Sequence, residues 1–176
     1  MIEQFYGQLR EWDERIFLWC NGLGAHPVLD RLLRGCTFLG GAFFTIGITL
    51  SVALFVAEPL ATYGWKSFAA LTISHLSAVC IKRRLRRMRP YDALPQAKIK
   101  TAPLRDFSFP SGHTTAAFST ALPLLSAFPW GMYVALPLAC LVGLSRVYLG
   151  VHYPSDCAAG ALLGLAAASL VIALPH

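Results

Sequence analysis

Charge is scarce in this sequence. Only 14% of its 176 residues are Asp, Glu, Lys or Arg, and the acidic ones number nine. Hydrophobic residues make up 56%, against roughly 45–50% in soluble domains. They come in long runs, the pattern of a polytopic membrane protein. Metal- or redox-type cysteine spacing is absent: Cys20, Cys36, Cys80, Cys140 and Cys157 stand apart, mostly in apolar context, and read as buried small hydrophobes. No helix-turn-helix, zinc-finger or RNA-binding pattern occurs, so the net charge of +6 does not argue for nucleic acid. The first twenty residues carry six charges and no apolar h-region, so no cleavable signal peptide is expected. No repeat or linker divides the chain, and its length suits one domain, 1–176.

What is present is a series of apolar stretches separated by polar islands. Residues 1–20 predict an amphipathic helix: Ile2, Phe5, Leu9, Trp12, Ile16 and Trp19 recur at steps of three and four. Such a helix suits the membrane interface, with tryptophans at head-group depth, and it can also pack on the rest of the protein. A glycine-rich turn follows at 21–27. Five spans are then predicted, over 36–57, 65–81, about 111–128, 132–144 and 157–174. The expected fold is all-α: a polytopic membrane helix bundle of about five transmembrane helices plus an N-terminal amphipathic interfacial helix. With five spans, the loop 88–112 and the island 145–156 fall on one side of the membrane.

The second span leads into the basic run 82–90, which suits anionic head groups or a phosphate. Pro90 disfavours helix at Arg89, so the helix is expected to end there. His75, Lys82 and Arg89 would then share one stripe at steps of seven, with His75 read as an internal, hydrogen-bonded histidine. The polar loop 91–109 is long enough to expect a role as lid or substrate entrance.

Three islands carry the chemistry: 82–90, 110–113 and 145–156. Lys82, Arg89 and Arg146 are fixed cations without enough carboxylates to pair them, which calls for an anion between them. Pro110-Ser111-Gly112-His113 opens a helix. Ser111 can cap it, Gly112 lets backbone N–H groups approach a ligand, and a helix N-terminus favours phosphate. Arginine adds bidentate donors and lysine a point charge. His152 with Asp156 has the make-up of a nucleophile: a carboxylate holds one tautomer and leaves the other ring nitrogen free to attack phosphorus. Pro154 disfavours helix at Tyr153, so His152 is expected just before the last helix, reached by Asp156 from its first turn. His113 remains as general acid and later as the base that activates water. Each island alone has a bland reading: a topology signal, a common helix entry, a surface ion pair. Their coincidence on one side of a small membrane domain is harder to dismiss.

These residues resemble the type 2 phosphatidic acid phosphatase (PAP2) superfamily, which also includes vanadium haloperoxidases. Its three-part signature is Lys, six residues, Arg-Pro; then Pro-Ser-Gly-His; then Ser-Arg, five residues, His, three residues, Asp. Lys82 with Arg89-Pro90, Pro110 to His113, and Ser145-Arg146 with His152 and Asp156 match without a gap, across 82–156. The resemblance implies a phosphohistidine on His152, supported by Asp156, with His113 as acid and base. It implies phosphate binding by Lys82, Arg89, Ser111, Gly112, His113 and Arg146, with no cofactor and no metal. The absence of an acidic metal cage agrees. Arg83, Arg84, Arg86 and Arg87 lie outside the signature and are read as head-group contacts or topology signals.

The substrate expected from the resemblance is a lipid phosphate: undecaprenyl pyrophosphate, phosphatidylglycerol phosphate, phosphatidic acid or lipid A phosphate. Membrane lipids are the other expected partners. Bacterial members of this kind face the periplasm or exterior from the cytoplasmic membrane, whereas the excess of arginine on the active-site side fits the cytoplasm by the positive-inside rule. The expectation follows the resemblance. A non-catalytic lipid-binding or transport protein on the same scaffold is the alternative, and it predicts damaged catalytic positions.

Overall fold

A computed structural model describes residues 2–23 and 27–174 of the chain. Among these residues there are helices and no strands. In order they are α1 (Ile2–Gly22), α2 (Pro27–Phe38), α3 (Ala42–Phe55), α4 (Leu60–Leu85), α5 (Pro90–Ala93), α6 (Gly112–Leu125), α7 (Gly131–Tyr148) and α8 (Pro154–Ala173). Helix α6 is the central post, packed against α8, α4 and α7. Helix α3 lies on α4, α2 on α7, and α1 on the ends of α7 and α8.

Small residues bring these helices together. Lipid tails are as apolar as leucine, so helices in a bilayer associate by close packing and not by hydrophobic exclusion. A Cβ on Gly164 of α8 would meet the Thr115 carbonyl oxygen at 2.6 Å and Phe118 Cβ at 2.8 Å, and one on Gly160 would meet the Ser111 carbonyl oxygen at 2.7 Å. The α6–α8 seam therefore depends on glycine. Ser67 of α4 crosses to α6 by donating to the Thr120 carbonyl at 3.1 Å. Large apolar side chains such as Phe43, Phe55 and Leu162 point outward, as a lipid-facing surface requires.

Helices α7 and α8 are each long and apolar enough to cross a membrane, and α2 with α3 pass together as a pair bent by 49°. The five expected spans are not all of this kind. The stretch 36–57 is broken at 39–41, where Gly40 sits so close to the His113 carbonyl that a Cβ would stand 2.6 Å from it. Helix α6 has only 14 residues, roughly 21 Å at 1.5 Å per residue. Lys66, His75 and several serines dilute the apolar length of α4. Helix α4 also ends earlier than expected. Arg86 adopts the left-handed conformation (φ 46°, ψ 38°) and donates its N–H to the Lys82 carbonyl, a C-cap that stops the helix before Arg89. Lys82 and Arg89 thus share no helical stripe. His75 is exposed on α4 instead of hydrogen-bonded inside.

The N-terminal helix does two things at once. Its inner face, Asp13, Phe17 and Asn21, is buried. Phe17 packs on Tyr153 with ring centroids 5.6 Å apart. Asn21 donates to the carbonyls of Lys98 (2.8 Å) and Tyr148 (3.0 Å) and accepts the Lys98 N–H (2.7 Å). The apolar stripe recognised in the sequence faces the other way: Leu9, Trp12, Ile16 and Trp19 are exposed, with the tryptophans placed as interfacial anchors would be.

Filling the α6–α8 seam should destabilise the bundle. Gly164→Val is expected to lower stability by about 1–3 kcal/mol, read as a fall in the thermal unfolding midpoint in detergent. An unchanged midpoint would contradict the close approach.

Candidate active site

The site forms where the N-terminus of α8 meets the loop 94–111 and the end of α7. Pro154 occupies the first helical position of α8 with Tyr153 as N-cap, and Asp156 turns back in the first turn. Asp156 Oδ2 accepts the Tyr153 N–H at 2.8 Å, a side-chain cap of the sort that satisfies the orphan donors of a helix start. The same oxygen accepts from the Ser108 hydroxyl at 2.5 Å and stands 3.5 Å from His152 Nδ1. His152 therefore sits just ahead of α8, with its Nδ1 side toward Asp156 and Ser108 and its Nε2 side 3.2 Å from Arg89 Nη1.

The loop is bonded to the body at several points. Tyr91 Oη bonds both the N–H and carbonyl of Leu104, Lys100 N–H donates to the Leu149 carbonyl and Ser108 N–H to that of Arg87. Gly150 (φ 83°) lies under this roof, where a Cβ would meet the Lys98 carbonyl oxygen at 2.3 Å. Only glycine fits both its backbone angle and that approach.

Lys82 and Arg89 converge on one carboxylate. Asp106 Oδ2 lies 3.0 Å from Lys82 Nζ, and Asp106 Oδ1 accepts from Arg89 Nη2 at 2.6 Å. Arg89 also donates to the carbonyls of Asp106, Val151 and Phe107. Both cations are buried, while the Asp106 side chain is 57% exposed. Partial burial alone would raise the Asp106 pKa; Lys82 and Arg89 outweigh it and hold the carboxyl below its ordinary value. Arg146 is buried too. It donates to Thr37 Oγ1 at 2.8 Å, and its Nε has no partner among the described residues.

Ser111 caps α6, accepting from the Thr114 N–H and hydroxyl, and its own N–H donates to the Asp156 carbonyl at 2.9 Å. The first turn of α6 is thereby tied to the first turn of α8. A Cβ on Gly112 would meet nothing within 4 Å. His113 borders a cavity of about 290 Å³ shared with Gly40, Thr45, Leu71 and His75. Lys82, Arg89, His152 and Asp156 are thus joined through Asp106 and Ser108, Ser111 touches Asp156, and His113 and Arg146 approach from α6 and α7 without bonding them.

Asp106, Ser108 and Asp13 join the site without a local signal in the sequence. Arg87 is a correction: its neighbours Arg83, Arg84 and Arg86 are exposed, but Arg87 bonds Asp156 Oδ1 at 2.8 Å, Ser155 Oγ at 2.7 Å and Asp13 Oδ2 at 2.7 Å, with its guanidinium 4.0 Å over the Tyr153 ring. It is a partner of the buried carboxylate and not a head-group contact. No local pattern announces pairs that lie 69 and 74 positions apart.

The PAP2 superfamily model matches residues 63–176. The chain belongs to the PAP2 superfamily. It is 31% identical over 153 residues to phosphatidylglycerophosphatase B of Bacillus subtilis, covering 79% of this chain and 71% of that protein. It is 39% identical over 103 residues to decaprenylphosphoryl-5-phosphoribose phosphatase of Mycobacterium tuberculosis, covering 58% of this chain and 56% of that one. With several curated relatives the match spans about half of their length. The fold matches the crystal structure of Aquifex aeolicus LpxE with a TM-score of 0.81 at 25% identity, over 91% of this chain and 94% of that one.

Burial is the main influence on His152. It pushes the imidazole pKa down to about 4; the Asp156 hydrogen bond opposes this, and Arg89 and Arg146 reinforce it. The ring is then neutral at pH 7. Because the unfolded chain takes up this proton first, near pH 6.5, the contribution of His152 to stability is complete above that pH and is lost as pH falls through about 4. Between these values the parent should lose thermal stability more steeply than His152→Gln. Equal slopes would place the His152 titration at its ordinary value.

Proposed function

We propose that this PAP2 protein hydrolyses the phosphate ester or diphosphate of a membrane lipid through a phosphohistidine on His152. The observation that carries the proposal is the convergence of Lys82 and Arg89 on one anion, with His152 Nε2 3.2 Å from the same guanidinium. An anion gripped by those two cations would share the Arg89 guanidinium with the neutral His152 imidazole. The buried Nε of Arg146, without a partner among the described residues, offers a further donor.

In the first step Nε2 attacks phosphorus, the bond from phosphorus to the lipid oxygen breaks, and His113 protonates the departing oxygen. In the second, His113 takes a proton from water, the water oxygen attacks phosphorus, and the nitrogen–phosphorus bond breaks to release phosphate. Asp156 keeps the proton on Nδ1 and offsets the positive charge that His152 develops. Lys82, Arg89 and Arg146 hold the phosphoryl oxygens, with Ser111 and Gly112 at the α6 N-terminus beside them. Before substrate arrives, Asp106 occupies two of these cations, so a phosphate must displace it.

The names of the relatives support a polyprenyl-linked or glycerophospholipid phosphate as substrate. Undecaprenyl pyrophosphate, phosphatidylglycerol phosphate, phosphatidic acid and lipid A phosphate form the panel to test. The exposed apolar surface supports residence in a membrane; the cytoplasmic membrane, with the site on its periplasmic or extracellular face, is the placement that the resemblance implies. The alternative of a non-catalytic lipid-binding protein gains no support, because His113, His152 and Asp156 are all present.

Phosphate release from that panel should fall by at least about a thousandfold in His152→Ala; equal release by variant and parent would sink the mechanism. Vanadate should inhibit the parent as a five-coordinate phosphate mimic on His152. Asp106→Asn should tighten vanadate inhibition about fivefold, the equivalent of about 1 kcal/mol for a half-exposed ion pair. Weaker inhibition in that variant would mean that Asp106 helps the cations to hold the anion and does not compete with it.

A further inference from the structure

Asp156 is completely buried, and its two oxygens face different partners. Oδ2 takes the Tyr153 N–H and the Ser108 hydroxyl and faces His152. Oδ1 takes Arg87. A carboxylate wholly out of water keeps its charge only when a cation and hydrogen-bond donors compensate for lost hydration. The other buried cations are engaged elsewhere: Lys82 and Arg89 hold Asp106, and Arg146 reaches Thr37. Among the described residues Arg87 is the guanidinium bonded to Asp156.

Arg87 is itself held from three sides. Its Nη2 donates to Asp13 of α1 at 2.7 Å, its Nη1 is shared between Asp156 and Ser155, and its plane lies on Tyr153. Asp13 also accepts the Ser155 N–H at 2.9 Å and the Ser155 hydroxyl, so one carboxylate on α1 binds both Arg87 and the first turn of α8. A chain of bonds runs from Asp13 through Arg87 to Asp156, whose Oδ2 stands 3.5 Å from His152 Nδ1. The helix that supplies Asp13 turns Leu9, Trp12, Ile16 and Trp19 outward.

We propose that Arg87 is a positioning residue for the reaction, keeping Asp156 ionised with Oδ2 toward His152, and that α1 holds Arg87 in place through Asp13. This inference rests on the phosphohistidine reading of the site. It couples turnover to the seating of α1: when α1 lifts away, Arg87 loses one of its two carboxylate partners and holds Asp156 less firmly.

The test uses the full chain in detergent, with phosphate release from whichever panel lipid the parent cleaves. Arg87→Gln should lower kcat by at least about tenfold with KM within about twofold, while Arg87→Lys should recover part of the loss. Asp13→Asn should lower kcat less, and the double variant should lose less than the product of the two single losses, because Asp13 acts in part through Arg87. Methylguanidinium added to Arg87→Ala should restore part of the turnover, which a residue that only stabilised the fold would not allow. Parent-like kcat in Arg87→Gln, or a loss confined to KM, would overturn the role of Arg87. Multiplying losses in the double variant would overturn the link from Asp13 through Arg87 and leave the Ser155 bonds as the route from α1. If Arg87→Ala does not fold, Arg87→Lys and Asp13→Asn still decide. A parent whose activity survives His152→Ala overturns the underlying mechanism, whereas an inactive His152→Ala beside an unaffected Arg87→Gln overturns this inference alone.

Discussion

Asp156 is wholly out of water, and a carboxylate in that position must be matched by donors or give up its charge. Much of the site can be read as the means of matching it. The Tyr153 N–H uses it to start α8, the Ser108 hydroxyl brings the loop down onto it, Arg87 supplies the cation, and the Ser111 N–H closes on its carbonyl. Three parts of the chain meet at the carboxylate because each brings it one donor, and the Ser111 N–H adds a bond to the backbone of the same residue. On the proposed reading, the residue that steadies His152 is also the one that holds the local structure together.

The opposite imbalance exists a few ångströms away. Lys82, Arg89 and Arg146 bring three buried cations to a region where one exposed carboxylate, Asp106, answers two of them. Among the described residues the Nε of Arg146 has no partner. A buried donor without an acceptor carries the cost of its lost hydration. An excess of donors on one side of His152 and a compensated carboxylate on the other give the imidazole two unlike faces. That asymmetry is what a nucleophile held by one nitrogen and used through the other requires.

The helices around this site obey a different constraint. Lipid offers no hydrophobic reward for bringing helices together, so contact depends on glycine at the seams. Gly160 and Gly164 let α8 reach α6, and Gly40 lets the bend between α2 and α3 lie against His113. The same bend splits a stretch that looks like one span in the sequence. A run of apolar residues specifies that a segment can sit in lipid; it does not specify that the segment is straight.

The sequence by itself determined the membrane class, the residues of the three islands and the local helix starts. These depend on composition and on neighbours within about one helical turn: Ser111 caps α6, and Pro154 makes His152 precede α8 with Asp156 in the first turn. Only the tertiary structure decided how charge is paired. It stopped α4 at Arg86, set Arg87 between Asp13 and Asp156, placed Asp106 on Lys82 and Arg89, and turned the apolar stripe of α1 outward while burying Asp13 and Phe17. Such pairings join positions up to 74 residues apart. They are chosen by which carboxylates the packed helices exclude from water, and no local periodicity encodes that choice.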